Sequence, residues 1–169
     1  NTLQNFTVES LAYCSRHLDD DDAKAILEKS LKHPPLSSSQ LTCNAAGRLR
    51  KPWRRNCVAI GRAALEIEPL CVSNLQLAQN SALRLLGMLP AGRENSALAT
   101  EFNRITGEEH TGVRDFTILH YHLANRLASP FWQDVRRADL PDALRQRLEL
   151  FRINGRISVG ENEWFGVQS

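Results

Sequence analysis

Residues 58–77 read VAIGRAALEIEPLCVSNLQL, and within this stretch the chain passes from strand to helix. The short apolar run at 56–60 (NCVAI) reads as a strand that delivers its end to Gly61. Glycine at such a strand end lets backbone approach a ligand or another element closely. Glu68-Pro69-Leu70 then interrupts regular structure, and Ser73 with Gln76 forms a capping box for the helix that follows. From there Leu75, Ala78, Ala82, Leu85 and Leu89 recur on one helical face until Pro90. The unpaired N–H groups at that helix start, near Ser73 and Asn74, are suited to holding an anion.

Upstream, residues 6–16 (FTVESLAYCSR) read as a strand through Phe6, Val8, Leu11 and Tyr13, and residues 40–50 as a second strand. Between them Asp19–Asp22 precede AKAILEKSL, where carboxylates offset the positive end of a helix dipole, and Pro34-Pro35 close that helix. A calcium loop needs a mid-loop glycine and a closing glutamate at set spacing, which this acidic run lacks. Downstream, helices are expected over about 93–105 and about 112–127, the latter with Phe116, His120, Leu123 and Leu127 aligned. Ser129-Pro130 opens a short helix containing Phe131 and Trp132. Pro141 starts a last one with Leu144, Leu148 and Phe151 inward, stopped at Asn154-Gly155. The expected fold class is α+β: a small antiparallel sheet over residues 1–72 and a mainly helical region over 73–169.

The chain has 169 residues, a formal charge of +2 and no apolar run of membrane-spanning length. These features point to a globular protein with neither a membrane nor a nucleic acid as partner. Cys14, Cys43, Cys57 and Cys71 are widely spaced, without a C-x-x-C pair. The expectation is free thiols in a reducing cytoplasm and no metal site. The chain begins at Asn1 and its one methionine is Met88, so it is expected to be part of a longer protein, cut at both ends.

Several segments carry chemistry-bearing residues, each with a plainer reading. Arg48, Arg50, Lys51, Arg54 and Arg55 surround Trp53. Such a patch suits single-stranded nucleic acid, but a solvated hairpin end whose Trp packs inward is the plainer account. His120, Tyr121 and His122 are adjacent and lack the i, i+4 spacing of a metal pair; His120 reads as a satisfied core histidine. Phe131-Trp132 suits either stacking on a planar substrate or core packing.

In order and spacing these segments resemble one family, the flavin-dependent tryptophan halogenases. The family pattern G-R-x-x-x-P-W-x-x-N-x-V-A-I-G is matched by Gly47-Arg48, Pro52-Trp53, Asn56 and Val58-Ala59-Ile60-Gly61. Its E-P-L-E-S-T is matched by Glu68-Pro69-Leu70, its R-D-F-x-x-x-H-Y by Arg114-Asp115-Phe116 and His120-Tyr121, and its N-R-x-D-T-P-F-W by Asn125-Arg126 and Pro130-Phe131-Trp132.

The resemblance implies an FAD-dependent halogenase or halogenase-like monooxygenase, in which reduced FAD, halide and oxygen together modify an aromatic acceptor. It implies that residues 1–72 are the end of an FAD-binding domain, with Gly61, Arg62 and Pro69 beside the cofactor. It also implies that Ser73 and Asn74 lie at a halide and flavin turn, and that His120, Tyr121, Phe131 and Trp132 face the substrate. The G-x-G-x-x-G dinucleotide site and the catalytic lysine belong to the family's amino-terminal half and have no counterpart here. The isolated chain is therefore expected to be inactive without that half of the same protein, and a flavin reductase is an implied partner.

Cys71 stands where the family has a catalytic glutamate, and a thiol of ordinary pKa ~8.5 cannot replace a carboxylate. Leu127 stands where an acid would meet the substrate amine. These departures point away from free tryptophan and toward an indole-like or larger acceptor. They also leave open a non-catalytic relative that binds a ligand or partner.

Overall fold

The computed structural model describes residues 6–69, 74–90, 92, 96–124 and 129–156. Its elements confirm an α+β chain that is mainly helical, with two small antiparallel sheets.

Helix α1 (Asp20–Ser30) begins where the acidic run predicts. Asp19 caps it, its Oδ1 accepting from the Asp22 N–H at 2.9 Å, and Asp20, Asp21 and Asp22 fill the first turn. Residues 6–16 do not form the expected strand; they hold one isolated bridge, at Thr7. Phe6, Val8 and Leu11 are exposed, and strand propensity without a packed face does not make a strand.

The second and third expected strands shrink to two-residue pieces. Strand β1 (Gly47–Arg48) pairs antiparallel with β4 (Leu65–Glu66), Gly47 opposite Glu66 and Arg48 opposite Leu65. Strand β2 (Trp53–Arg54) pairs with β3 (Cys57–Val58) across a two-residue turn, whose Arg55 sits at φ +56. Trp53 does pack inward. It is 4% exposed, meets the Phe102 ring edge-on at 5.5 Å, and donates its Nε1–H to the Arg55 carbonyl at 3.0 Å. Cys14, Cys43 and Cys57 carry free thiols.

Helix α2 (Asn74–Gly87) has its buried face rotated from the leucine stripe expected of it. Leu77 and Ser81 are the buried positions, while Leu75 is 80% and Leu89 60% exposed. The reason lies in helix α3 (Ser96–Leu123), which presents a polar surface to this side of α2. Arg84 donates to Thr106 Oγ1 at 2.9 Å and to Glu109 Oε2 at 3.0 Å, and Asn80 donates to Glu109 Oε1 at 3.2 Å. Hydrogen-bonding side chains thus draw the face of α2 that carries Leu77 and Ser81 toward α3, beside and not along the expected apolar stripe.

The two helices expected over 93–105 and 112–127 are one, α3, of 28 residues, ~42 Å long at 1.5 Å per residue. Gly107 and Gly112 lie inside it, each a cost of roughly 1 kcal/mol against alanine. Packing outweighs that cost. Phe102, Thr106, Glu109, His110, Val113 and Thr117 are buried along one face, and Arg48 anchors this middle section by donating to the Gly107 carbonyl at 2.9 Å and to Thr111 Oγ1 at 2.8 Å. Among the described residues, Leu65 and Ile67 pack with Leu77 and Val113 in one buried apolar cluster.

Helix α4 (Pro130–Arg137) opens on Ser129-Pro130 as read from sequence, and α5 (Asp142–Asn154) ends on Gly155 at φ +64. Leu144 is buried, but Phe151 is 47% exposed rather than inward. Among the described residues no helix is long and apolar enough to cross a membrane.

Candidate active site

Two structural features gather the sequence-predicted residues. The first is the turn that follows β3. Gly61 takes φ +57, and a Cβ there would lie 3.1 Å from the Ala78 Cβ on α2. The residue is therefore glycine for two reasons: the left-handed backbone, which side chains disfavour, and the close approach of the helix. Its missing side chain faces α2. Arg62 follows on the short 3-10 turn Gly61–Ala63. Its Nε donates to Glu66 Oε2 at 2.7 Å, while the side chain stays 64% exposed. The hydrogen bond to Glu66, then its charge, raises the Arg62 pKa above its ordinary value.

The second feature joins three motifs far apart in sequence. Tyr121, in the last turn of α3, donates its hydroxyl to Glu68 Oε2 at 2.6 Å. Its ring meets Phe131 edge-on at 6.0 Å and lies tilted against Trp132 at 5.8 Å. Phe131 and Trp132 pack edge-to-face at 5.1 Å on the first turn of α4. His17 extends the cluster, its ring 5.7 Å from Phe131 and its Nε2 3.4 Å from Asp134. Burial, and after it the hydrogen bond to Glu68, holds the Tyr121 phenol well above its ordinary pKa, so it stays a protonated donor. The result is an aromatic wall with a carboxylate at one edge, an arrangement suited to a flat ring.

His120 does not join that wall. It is exposed, its ring lies tilted against Phe116 at 4.2 Å, and its Nδ1 lies 2.9 Å from the Phe116 carbonyl. It is hydrogen-bonded, as expected, but it is exposed and so is not a core histidine, although it shares the helical azimuth of the buried Phe102. The core histidine is His110, 2% exposed, with its Nδ1 buried and unpartnered. Burial, outweighing the neighbouring Glu109, pushes its pKa down to about 4. Carrying one helical register through 105–112 would have found it.

Pro69 is exposed beside Glu68, and Asn74 is half-buried at the start of α2. Cys71, Ser73 and Leu127 lie outside the described residues, as does the capping box that includes Ser73. Sequence reasoning missed Glu68 and His17 as members of the cluster. Glu68 had a signal, its place in the E-P-L motif, whereas His17 had none, since only the fold brings it to Phe131.

The fold is that of the flavin-dependent halogenases, which solved structures match at TM-scores of 0.85 and 0.86. The model of the tryptophan halogenase family matches residues 2–169, and the chain belongs to that family. It is 37% identical to the flavin-dependent halogenase Xcc4156 from Xanthomonas campestris, with a TM-score of 0.85, covering 92% of this chain and 31% of that one. It is 34% identical to BrvH, a flavin-dependent halogenase from Brevundimonas sp. BAL3, with a TM-score of 0.86, covering 92% and 32%. Among curated relatives, the tryptophan 7-halogenase KtzQ of Kutzneria sp. is 31% identical over 124 residues, 71% of this chain and 23% of that protein. The chain thus spans about a third of the halogenase structures it matches and about a quarter of this curated relative.

Proposed function

We propose that this chain is the substrate-side portion of an FAD-dependent halogenase acting on an indole-like or larger aromatic acceptor, within a protein whose remaining part holds most of the cofactor. The observation that carries this reading is the convergence of Glu68, Tyr121, Phe131 and Trp132, which puts the E-P-L, H-Y and P-F-W motifs at one place. In this reading residues 1–72 complete an FAD-binding domain and residues 73–169 form the acceptor side.

The residues present fit one edge of a flavin site. Arg62 is an exposed cation on a tight turn, the donor type that meets a phosphate; Gly61 precedes it directly and Pro69 follows seven residues later. Bound as the reduced form, FAD supplies with oxygen the oxidising power that makes halide reactive. Ser73 and Asn74 are assigned to the turn that receives halide, where N–H groups at the start of α2 suit an anion. Tyr121, Phe131 and Trp132 stack the acceptor ring and exclude water from it. A cytoplasmic protein served by a flavin reductase completes the proposal.

The test is to incubate the complete protein with reduced FAD, bromide and indole, and to follow brominated indole by mass spectrometry. Brominated indole is the expected product, and free tryptophan is expected to be a poor acceptor. Replacing Cys71 with Glu is expected to raise the rate, up to about a hundredfold, because a positioned carboxylate stabilises charge developing on the ring. Saturable binding of FAD and indole without bromination in either form favours the second reading, a non-catalytic relative, to which Cys71 in the glutamate position lends its support.

A further inference from the structure

The formal charge of +2 conceals a segregation. Of the chain's 21 lysines and arginines, eight lie in residues 29–65, and none of its 19 acids does. The fold gathers part of that excess around one turn. The Leu49 N–H donates to the Ala64 carbonyl and the Ala59 N–H to the Pro52 carbonyl, both at 2.9 Å, which lays residues 49–52 along residues 59–64. Arg50 and Lys51 stand between these two ties, Arg54 follows on β2 opposite Cys57, and Arg62 lies on the turn itself. All four are exposed.

Two observations set this patch apart from an ordinary solvated face. None of the ion pairs among the described residues uses Arg50, Lys51 or Arg54. Where α3 meets the hairpin, at Asn103 and Gly107, its carboxylates Glu101 and Glu108 are paired with Arg104 instead. Unpaired like charges held together raise the local potential and draw in anions. In addition Trp53, the aromatic residue within the patch, is 4% exposed, so it offers no face on which a nucleic-acid base could stack. The patch is suited to a phosphate group carried by a small molecule.

We propose that Arg50, Lys51, Arg54 and Arg62 form a cationic approach path for the flavin dinucleotide, attracting its diphosphate from solution toward the turn at Gly61. This rests on the flavin edge assigned above to Gly61 and Arg62. The attraction acts over a distance, so it governs how fast the cofactor arrives more than how tightly it is held. It requires positive charge at these positions and not the planar geometry of a guanidinium.

Stopped-flow mixing of the complete protein with FAD, followed by flavin fluorescence, tests this. Association is expected to slow about tenfold between ~0.01 M and ~1 M salt, as the Debye length falls from ~30 Å to ~3 Å. The triple variant Arg50→Gln, Lys51→Gln, Arg54→Gln is expected to associate about tenfold more slowly at the lower salt and to lose most of the salt dependence, with dissociation changed less than about twofold. Each single Gln variant should show part of the loss, which keeps the test open if the hairpin tolerates only one change. Arg50→Lys with Arg54→Lys keeps the charge and is expected to match the native rate. Riboflavin has the ring without the phosphates and should associate alike with the native protein and the triple variant.

A native association rate indifferent to salt overturns the proposal. So does a loss that lies in dissociation, a Lys variant as slow as the Gln variant, or riboflavin slowed as much as FAD.

Inorganic diphosphate gives a readout free of flavin and of turnover. It is expected to slow hydrogen exchange over residues 49–55 and 61–64 in the complete native protein and not in the triple variant. A protein that binds FAD without that protection overturns the approach path and leaves the halogenase reading standing. A protein that binds no FAD but is protected by diphosphate overturns the flavin reading and keeps the patch as a phosphate site.

Discussion

Arg84 and Glu109 form an ion pair at 3.0 Å in the seam between α2 and α3, where the Glu109 side chain is only 2% exposed. Thr106 and Asn80 complete the hydrogen bonding, so the carboxylate is buried but satisfied. Removing the arginine alone strands a buried charge. Arg84→Met is expected to destabilise the protein by about 3 kcal/mol, whereas Arg84→Met with Glu109→Leu should recover most of that loss. Urea unfolding of the three variants, followed by circular dichroism, measures the difference.

Asn103 clamps the β2–β3 hairpin to α3. Its Oδ1 accepts the Trp53 N–H at 2.8 Å, and its Nδ2 donates to the Trp53 carbonyl at 2.9 Å. Asn103→Ala loses both bonds at a part-buried position and is expected to cost about 2 kcal/mol. Asn103→Asp keeps the acceptor and loses the donor, so it should fall between. The fluorescence of Trp53, buried against Phe102, should shift red in the Ala variant if the hairpin loosens.

At Gly61 the backbone angle and the contact with Ala78 act together. Gly61→Ala should cost about 2 kcal/mol, most of it from the left-handed conformation. Adding Ala78→Gly relieves the 3.1 Å contact but not the backbone, so it should recover only a minor part of the lost thermal midpoint. Full recovery would mean that the contact, not the angle, selects glycine.

His110 makes stability depend on acidity. In the unfolded chain it titrates near 6.5, but in the fold only near about 4. Between those values the unfolded chain binds a proton that the folded one refuses. Stability is therefore full above about 6.5 and falls as pH drops toward about 4, by at most on the order of 1 kcal/mol per pH unit. Urea midpoints at pH 7 and pH 5 should differ in the native protein, and the difference should shrink in His110→Gln. An unchanged difference would place the acid sensitivity elsewhere.

The sequence by itself determined those features that depend on near neighbours. The acidic start of α1, the Ser129-Pro130 opening of α4 and the glycine stop of α5 each follow from backbone groups that a local side chain or a local φ can satisfy. The family was legible too, because motif order survives without any knowledge of packing.

Tertiary structure alone decided what depends on a partner distant in the chain. Residues 6–16 have strand-like residues, but Phe6, Val8 and Leu11 pack no face, so the segment stays irregular. Gly107 and Gly112 look like breaks, yet α3 runs through them because Arg48 and the polar seam hold its middle. The leucines of α2 follow helical period, but the buried face turned to Leu77, Ser81 and Arg84, where α3 offers Glu109 as a partner. The same holds at the site. Glu68, Tyr121 and His17 come from three separate segments, and no local pattern specifies that a loop carboxylate will meet a phenol on a helix 53 residues away. Apolar periodicity records how a helix repeats along its own axis; which side becomes the inside depends on the free energy of contacts with other elements.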